Sequence, residues 1–319
     1  MFKLVQDRSQ KGKKLSHTMM LALQDMMNDN ENIVMLDADC GNASGSLMLQ
    51  KSHPDQFIEC GISEANMIGV AAGMSSMGYV PYVHTFSPFA SRRVFDQVYL
   101  SGAYAYNTIN IYGSDPGFTT AHNGGTHTAF EDMAMMREIP GALVMDVADE
   151  VQMDWIIRNL PELTGVHYFR AARGNARNVY QPGSTFTFGK GNVLKEGKDV
   201  LIITCGQIVS DALDAAETLE RQGVSCEVID MFCVKPLDVD LILSEVQDKK
   251  AVVTFENHSI YGGLGSAVSE VLAENRIAIP FKRHGVQDRF GQVGSAQWLQ
   301  QEFELTAEDL IKTIQSLLK

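Results

Sequence analysis

The sequence predicts an α/β fold in two domains, each built of three layers. Short apolar runs alternate with segments of helical period, which is typical of a mostly parallel sheet covered by helices on both faces. The alternation is interrupted at residues 173–190, which gather Gly, Pro and Asn. At 319 residues the chain is also longer than one hydrophobic core usually serves. We therefore expect domains at residues 1–180 and 190–319, the second being the smaller.

The first domain is predicted to alternate buried strands with amphipathic helices. The strands are apolar runs at Ile33–Leu36, Val80–His84, Thr108–Tyr112, Ala142–Asp146 and Val166–Phe169. The helices have apolar residues three and four apart, at Leu15–Asn28, Ile62–Met77, Arg93–Ala105, Thr128–Arg137 and Glu150–Asn159. After the interruption the pattern restarts with strands at Val200–Thr204, Val224–Asp230 and Ala251–Glu256, so a second α/β unit follows.

Composition excludes several classes of protein. With 26 basic and 39 acidic residues the net charge is −13, which disfavours nonspecific attraction to nucleic acid or to an anionic membrane. The five cysteines form no Cys-x-x-Cys pair and are odd in number, which argues against a disulfide framework and a zinc cluster. No apolar run approaches the roughly 18 residues of a membrane span, and the N-terminus lacks signal-peptide character. We expect a cytoplasmic protein with a small-molecule ligand or a protein partner.

Glu64 stands near the start of the helix predicted at Ile62–Met77, where the helix dipole favours an anion. A charge at a helix end usually lies in solvent. Here the helix is apolar nearly all round, which implies burial. A buried carboxylate needs a partner, and no Lys or Arg occurs within the next two helical turns. A nitrogen of a ligand could be that partner.

Two aromatic residues follow the end of a predicted strand, where open parallel sheets bind their ligands. Phe86 and Phe89 flank Pro88, and Arg92 and Arg93 come next. In isolation the two rings are more often residues of a hydrophobic core than of a binding site. Paired arginines beside aromatic rings suit an anionic ligand or an interface.

His127 follows the pair Gly124-Gly125 and opens a predicted helix, so we expect its ring at the rim of a loop. A lone histidine is more often not catalytic. His122 lies five residues earlier, but no carboxylate at ligand spacing completes a metal site. The run Gly262–Ala267 resembles a dinucleotide loop only superficially, and a tight strand-to-helix turn explains it better.

These motifs, taken together and in order, resemble transketolase. The matching runs are Gly61-Ile62-Ser63-Glu64, Pro81–Phe89, Phe95-Asp96-Gln97, Gly124–His127, Glu131-Asp132 and Arg170–Gly174. The resemblance covers essentially the whole chain, but only the C-terminal portion of that enzyme. It implies a pyrimidine-binding domain of the thiamine diphosphate type followed by a transketolase C-terminal domain.

The resemblance implies roles for several residues. Glu64 would hydrogen-bond the aminopyrimidine ring of thiamine diphosphate as part of a proton relay, Phe89 and more loosely Phe86 would stack on that ring, and Asp39 would lie near it. His127 would lie close to the substrate and act as a catalytic residue. Arg170 would hold the anionic end of the sugar.

The sequence departs from the usual transketolase pattern at two substrate positions. Asp115 replaces a histidine that helps to bind the donor phosphate, and Asn123 replaces an acid that contacts donor hydroxyls. An aspartate would repel a dianion. We therefore expect a ketose donor whose far end is altered, in its anionic group or in its length.

The family binds the diphosphate through Mg²⁺ with a Gly-Asp-Gly motif in a preceding domain, and this chain contains no such motif. The resemblance therefore implies a split enzyme, with Mg²⁺ held by an N-terminal partner subunit and with α2β2 stoichiometry. Two alternatives stay open. One is the β subunit of a 2-oxoacid dehydrogenase, which shares the two-domain layout, and the other is a non-catalytic subunit retained for assembly.

Overall fold

The computed structural model describes the whole chain, residues 1–319. In the first part the strands are β1 Lys11–Lys14, β2 Ile33–Asp37, β3 Phe57–Glu59, β4 Val80–Phe86, β5 Ile109–Ser114, β6 Leu143–Asp146, β7 Val166–Ala171 and β8 Asn175–Arg177. The helices are α1 Leu15–Asp29, α2 Gly41–Ser44, α3 Leu47–Ser52, α4 Glu64–Ser76, α5 Ser87–Ala90, α6 Phe95–Gln97, α7 Asp132–Arg137 and α8 Glu150–Asn159. The five strands predicted here from apolar runs are all present, with ends shifted by at most two residues.

The second part repeats the same alternation. Its strands are β9 Asn192–Lys195, β10 Val200–Thr204, β11 Cys226–Asp230, β12 Cys233–Lys235, β13 Ala251–Ser259 and β14 Phe281–Val286. Its helices are α9 Val209–Arg221, α10 Val239–Glu245, α11 Leu264–Glu274, α12 Ala296–Glu302 and α13 Ala307–Leu317. The additional strands β9, β12 and β14 are short or half-exposed, so they lack the continuous apolar run that marks a buried parallel strand.

Two large sheets organise the molecule. The first has seven strands in the order β12-β6-β7-β5-β4-β2-β3, all parallel except β12. The second has five strands in the order β14-β13-β10-β11-β9, all parallel except β9. Helices pack on both faces of each sheet around two apolar clusters, which run through both parts of the chain. The predicted α/β class and its mostly parallel sheets are confirmed.

The strand β12 links the two parts. It lies beyond residue 190, yet it pairs antiparallel with β6 and so forms the edge of the first sheet. The segment 173–190, expected as a linker, contains the short strand β8 and packs closely. Asp149 accepts hydrogen bonds from the backbone N–H groups of Val179 and Tyr180 at 2.8 and 2.7 Å. The two parts therefore share a sheet and a packed connection.

Two predicted helices differ in the structure. The segment predicted as a helix at 93–105 forms the short α6 and then a π-helical stretch, Val98–Tyr104. The helix predicted at 128–137 begins only at Asp132, so His127 lies in the preceding loop. The five cysteines are free thiols, and no helix has both the length and the apolar character needed to cross a bilayer.

Candidate active site

The carboxyl ends of the parallel strands meet at one edge of the first sheet, and the site residues lie there. β4 ends at Phe86 and runs directly into α5, whose second residue is Pro88. The rings of Phe86 and Phe89 lie 6.3 Å apart, edge to face. The His127 ring lies 5.3 Å from Phe86 and 5.1 Å from Phe89 between ring centroids. We refer to Phe86, Phe89 and His127 as the aromatic cluster.

His127 is held in place by its own loop. Its backbone N–H donates to Gly124 O at 3.0 Å, and its Nδ1 lies 2.9 Å from Thr126 Oγ1. The neighbouring glycine is required by packing, because a Cβ added to Gly125 would lie 2.7 Å from the Gly291 carbonyl oxygen. The second domain therefore presses against the loop that carries His127.

Glu64 is the first residue of α4 and is only 4% exposed, as the apolar character of its helix predicts. Its Oε1 accepts a hydrogen bond from Arg93 Nη1 at 2.7 Å. The same guanidinium lies over the Phe89 ring, 4.1 Å from its centroid. The cation that the local sequence lacks thus comes from the segment after α5.

Asp39 lies just past the end of β2, exposed and with a positive φ of 56°. Its backbone N–H donates to Glu59 Oε1 at 2.8 Å, and the same oxygen accepts from Gly61 N at 2.7 Å. Glu59 therefore joins the turn before Glu64 to the residue expected near the pyrimidine ring.

A buried network that the sequence did not reveal lies behind these residues. Asp37 accepts hydrogen bonds from Ser44 and Ser46 and contacts His84 Nδ1 at 3.1 Å, and His84 Nε2 lies 3.0 Å from Ser114 Oγ. Burial acts to raise the pKa of Asp37, but His84 and the other hydrogen-bond donors outweigh it and lower that pKa below its ordinary value. The network ties the ends of β2, β4 and β5 together.

Asp115 lies at the end of β5 with a φ of 53° and is almost fully buried. It accepts a hydrogen bond from the Arg173 backbone N–H at 2.7 Å and pairs with the Arg173 guanidinium. Burial raises the pKa of Asp115, and Arg173 opposes that shift. The Arg173 side chain is 27% exposed and lies 4.8 Å from the Phe86 ring centroid. Asp115 therefore does not face a ligand as an uncompensated charge.

Arg170, expected to hold the anionic end of the sugar, forms ion pairs inside the protein. Its side chain is fully buried. Nη1 donates to Asp132 Oδ1 at 2.9 Å, while Nη2 donates to Asp146 Oδ2 at 2.7 Å and to Asn257 O at 3.0 Å. These contacts fasten the first sheet to α7 and to the second domain. Arg173, three residues later, lies beside Phe86 of the aromatic cluster, as Arg93 lies beside Phe89.

Asn123 lies exposed at the end of the irregular segment Gly117–Asn123, four residues before His127. The interior of this segment bonds to the second domain, since Asn257 Oδ1 accepts from Phe118 N at 3.1 Å. His122 is also exposed, and no group of three or more His, Cys, Asp or Glu side chains is arranged to hold a metal ion.

Family models match both parts of this chain. The model of the transketolase pyrimidine binding domain matches residues 12–178, and that of the transketolase C-terminal domain matches residues 189–310. The chain belongs to the transketolase family. The sequence-based prediction of this family is therefore confirmed. The same comparisons favour transketolase over the 2-oxoacid dehydrogenase β subunit and over a non-catalytic subunit.

Individual relatives show which part of a transketolase this chain resembles. The 6-deoxy-6-sulfo-D-fructose transketolase subunit SqwH of Clostridium sp. (strain MSTE9) is 44% identical over 283 residues, which cover 89% of this chain and 88% of that protein. A solved split-gene transketolase, an inactive β4 tetramer, superposes with a TM-score of 0.88 at 37% identity and covers 96% of this chain and 99% of its own. Human transketolase is 32% identical over 302 residues, 93% of this chain but only 48% of the human protein.

This transketolase chain thus corresponds to the C-terminal half of an undivided enzyme, and its split relatives imply an N-terminal partner subunit. The family implies thiamine diphosphate as the cofactor. The residues fit the aminopyrimidine part of that cofactor. A planar, polar heterocycle needs an apolar wall and a hydrogen-bonding carboxylate, and the aromatic cluster and the buried Glu64 supply both.

Proposed function

We propose that this chain is the C-terminal subunit of a cytoplasmic α2β2 transketolase that transfers a two-carbon ketol unit from an anionic-tailed ketose to an aldose. The observation that carries the proposal is the buried Glu64 carboxylate at the carboxyl edge of the first sheet, which Arg93 joins to the Phe89 ring next to His127. The cofactor supplies, when bound, the nucleophilic carbon that takes up the two-carbon unit.

The residues of this chain would hold the cofactor ring and move protons. Glu64 accepts an N–H hydrogen bond in its present position, so it can bond a pyrimidine ring nitrogen and share a proton with it. Phe86 and Phe89, packed edge to face, provide an apolar wall that excludes water from that side of the ring. Asp39 is exposed near the turn before Glu64 and would contact the ring from its edge.

His127 is suited to the substrate hydroxyls. Its Nδ1 is engaged by Thr126, which leaves Nε2 to donate or accept a hydrogen bond. Asn123 is exposed on the same loop and presents an amide that can bond a hydroxyl without carrying charge. These two residues would bind the polar middle of the sugar.

Arg173 would bind the anionic end of the donor. Its guanidinium is part-exposed beside Phe86, whereas Arg170 is closed to solvent. Asp115 partly compensates the charge of Arg173, so the pair suits an anion of single charge better than a phosphate monoester, which carries nearly two charges at pH 7. A sulfonate has a single charge, and the Clostridium relative, 44% identical, is named as acting on a sulfonated fructose. We therefore propose a 6-sulfonated ketose as the donor.

The partner subunit would supply the diphosphate half of the site with its Mg²⁺. This chain has no Gly-Asp-Gly motif and no clustered metal ligands. Ile62 is 77% exposed although it precedes the buried Glu64 by only two residues, and an apolar side chain there suits cover by another chain. A second exposed patch, formed by Tyr99, Leu100, Tyr104 and Tyr106, suits contact with another copy of this subunit.

The test is reconstitution with the N-terminal subunit. We expect thiamine diphosphate and Mg²⁺ to support ketol transfer only in the mixed complex, with mass measurement by light scattering giving two copies of each chain. A panel of ketoses should give the highest kcat/KM with 6-deoxy-6-sulfofructose. Full activity with ordinary saturation on xylulose 5-phosphate would refute the altered donor, and turnover by this chain alone would refute the split site.

A further inference from the structure

The Arg93 side chain lies in the slot between Glu64 and Phe89. Its Nη1 is 2.7 Å from Glu64 Oε1, and its guanidinium carbon is 4.1 Å from the centroid of the Phe89 ring. A single planar group meets both the carboxylate and the face of the ring. A heterocycle that stacks on this face of Phe89 and bonds Glu64 would require the same volume.

We propose that the Arg93 guanidinium takes the place of the cofactor's aminopyrimidine ring in the cofactor-free subunit and must leave the slot when that ring enters. The proposal rests on the function proposed above. The two groups are chemically alike, since both are flat, delocalised and rich in N–H donors, and both stack on aromatic rings and donate to a carboxylate.

The Arg93–Glu64 pair reduces the cost of burying the Glu64 carboxylate. Glu64 is 4% exposed, and an ionised carboxylate at that depth is costly unless it is paired. Arg93 supplies the pair in the absence of a ligand, because no other cation bonds Glu64. The site therefore keeps its charge balance before the cofactor binds.

The surroundings of Arg93 also allow its side chain to move out of the slot. Its side chain is 46% exposed, so it can swing into solvent without losing a buried environment, and Glu64 is its one hydrogen-bonded partner. The neighbouring Arg92 differs, since it forms an ion pair with Glu131 outside the slot and has the same 46% exposure. Arg92 is therefore a matched control for charge and exposure.

Competition of this kind lowers the affinity for the cofactor. Entry of the ring breaks one half-exposed ion pair and one cation–π contact, so we expect Arg93→Met to bind thiamine diphosphate about threefold to tenfold more tightly than the native complex. Arg93→Lys retains the positive charge but not the planar group. Its affinity for thiamine diphosphate should therefore lie between those of Arg93→Met and the native complex. Arg92→Met should bind like the native complex.

Calorimetric titration of the reconstituted complex with thiamine diphosphate in Mg²⁺ provides the measurement. Equal or weaker binding by Arg93→Met would overturn the proposal, because Arg93 would then be neutral or would help to hold the ring. If the native complex binds no thiamine diphosphate, the function proposed above fails as well, so the two failures are distinct.

A second measurement uses the guanidinium ion itself. In Arg93→Ala the slot is vacated, and added guanidinium chloride at concentrations well below denaturation should weaken cofactor binding more than it does in the native complex. Sodium chloride at equal ionic strength is the control. An equal response of Arg93→Ala and native complex to both salts would contradict a slot shaped for a guanidinium.

Discussion

The carboxylate of Asp115 accepts the backbone N–H of Arg173 at 2.7 Å and pairs with the guanidinium of the same residue. The first contact fixes the chain just past the end of β7, and the second fixes the side chain beside Phe86. An aspartate at the end of one strand thus positions an arginine that follows the neighbouring strand. The residue that departs from the family pattern orients a cation, so we expect Asp115 to influence donor choice through Arg173.

Arg173→Met is therefore expected to weaken recognition of the anionic end of the donor. Loss of a hydrogen bond to a charged group should raise KM for a sulfonated or phosphorylated ketose about tenfold to a hundredfold, with a smaller change in kcat. A ketose without an anionic tail should be affected little. Steady-state kinetics on the reconstituted complex gives both values, and an equal loss on charged and uncharged donors would show that Arg173 acts otherwise.

Arg170→Met should affect folding. The substitution leaves Asp132 and Asp146 buried without their shared cation, which costs about 3–5 kcal/mol of unfolding free energy. Arg158, which pairs with Asp25 and Asp154 at the surface, is the control, and Arg158→Met should cost about 1 kcal/mol or less. Urea unfolding of the isolated chain measures the difference. A stable Arg170→Met protein with a raised KM would instead support the substrate role that the resemblance to transketolase implies.

Arg170 and Arg173 show how much of the fold and of the site could be predicted from the sequence. The central strands were predictable because a parallel strand buried on both faces is a continuous apolar run. The strand β7 extends two residues beyond the predicted run Val166–Phe169 and so includes Arg170. Arg173 follows the end of the run, where ligands bind, and that position was the available signal. The Arg93–Glu64 pair joins residues 29 apart and depends on tertiary packing alone. The hydrogen-bond network of His84 could not be predicted either, because His84 is a polar residue within an apolar strand.

Glu64→Gln should strongly reduce turnover while the complex still assembles. The amide keeps the shape of the side chain but cannot accept a proton, so a proton relay through residue 64 is interrupted. We expect kcat to fall by about a hundredfold or more, within the range of general acid–base contributions. Kinetics and light scattering on the same sample separate the two effects. Unchanged turnover would support a subunit retained for assembly.

Asp230 should make stability depend on pH. Burial raises its pKa to about 7, although hydrogen bonds from Tyr180 and Gln152 oppose the shift. The unfolded chain releases this proton near the ordinary pKa of 3.8, so between about pH 4 and pH 7 the folded state binds more protons. The contribution of Asp230 to stability therefore falls as pH rises through that window, by at most about 1.4 kcal/mol per pH unit.

Asp230→Asn isolates this effect. The variant has no proton to release, so the difference in unfolding free energy between native and variant chains should shift in favour of the variant from pH 4 to pH 7 and stay constant above. Urea unfolding at several pH values measures it. A difference that does not change across the window would mean that Asp230 is ionised in the folded chain.

Gly125→Ala should displace the loop of His127. The added Cβ would lie 2.7 Å from the Gly291 carbonyl oxygen, and because that atom is backbone, the loop or the facing segment must move. Movement of the loop separates His127 from Phe86 and Phe89, so we expect kcat/KM for ketol transfer to fall about tenfold or more, as positioning errors of this size do. Gly174→Ala is the control, since no atom lies within 4 Å of its added Cβ. Cofactor affinity should be nearly unchanged in both variants, because Glu64 and Phe89 do not belong to the loop. Native kinetics in Gly125→Ala would show that the second domain yields without disturbing His127, and a loss of cofactor binding would place the loop against the ring itself.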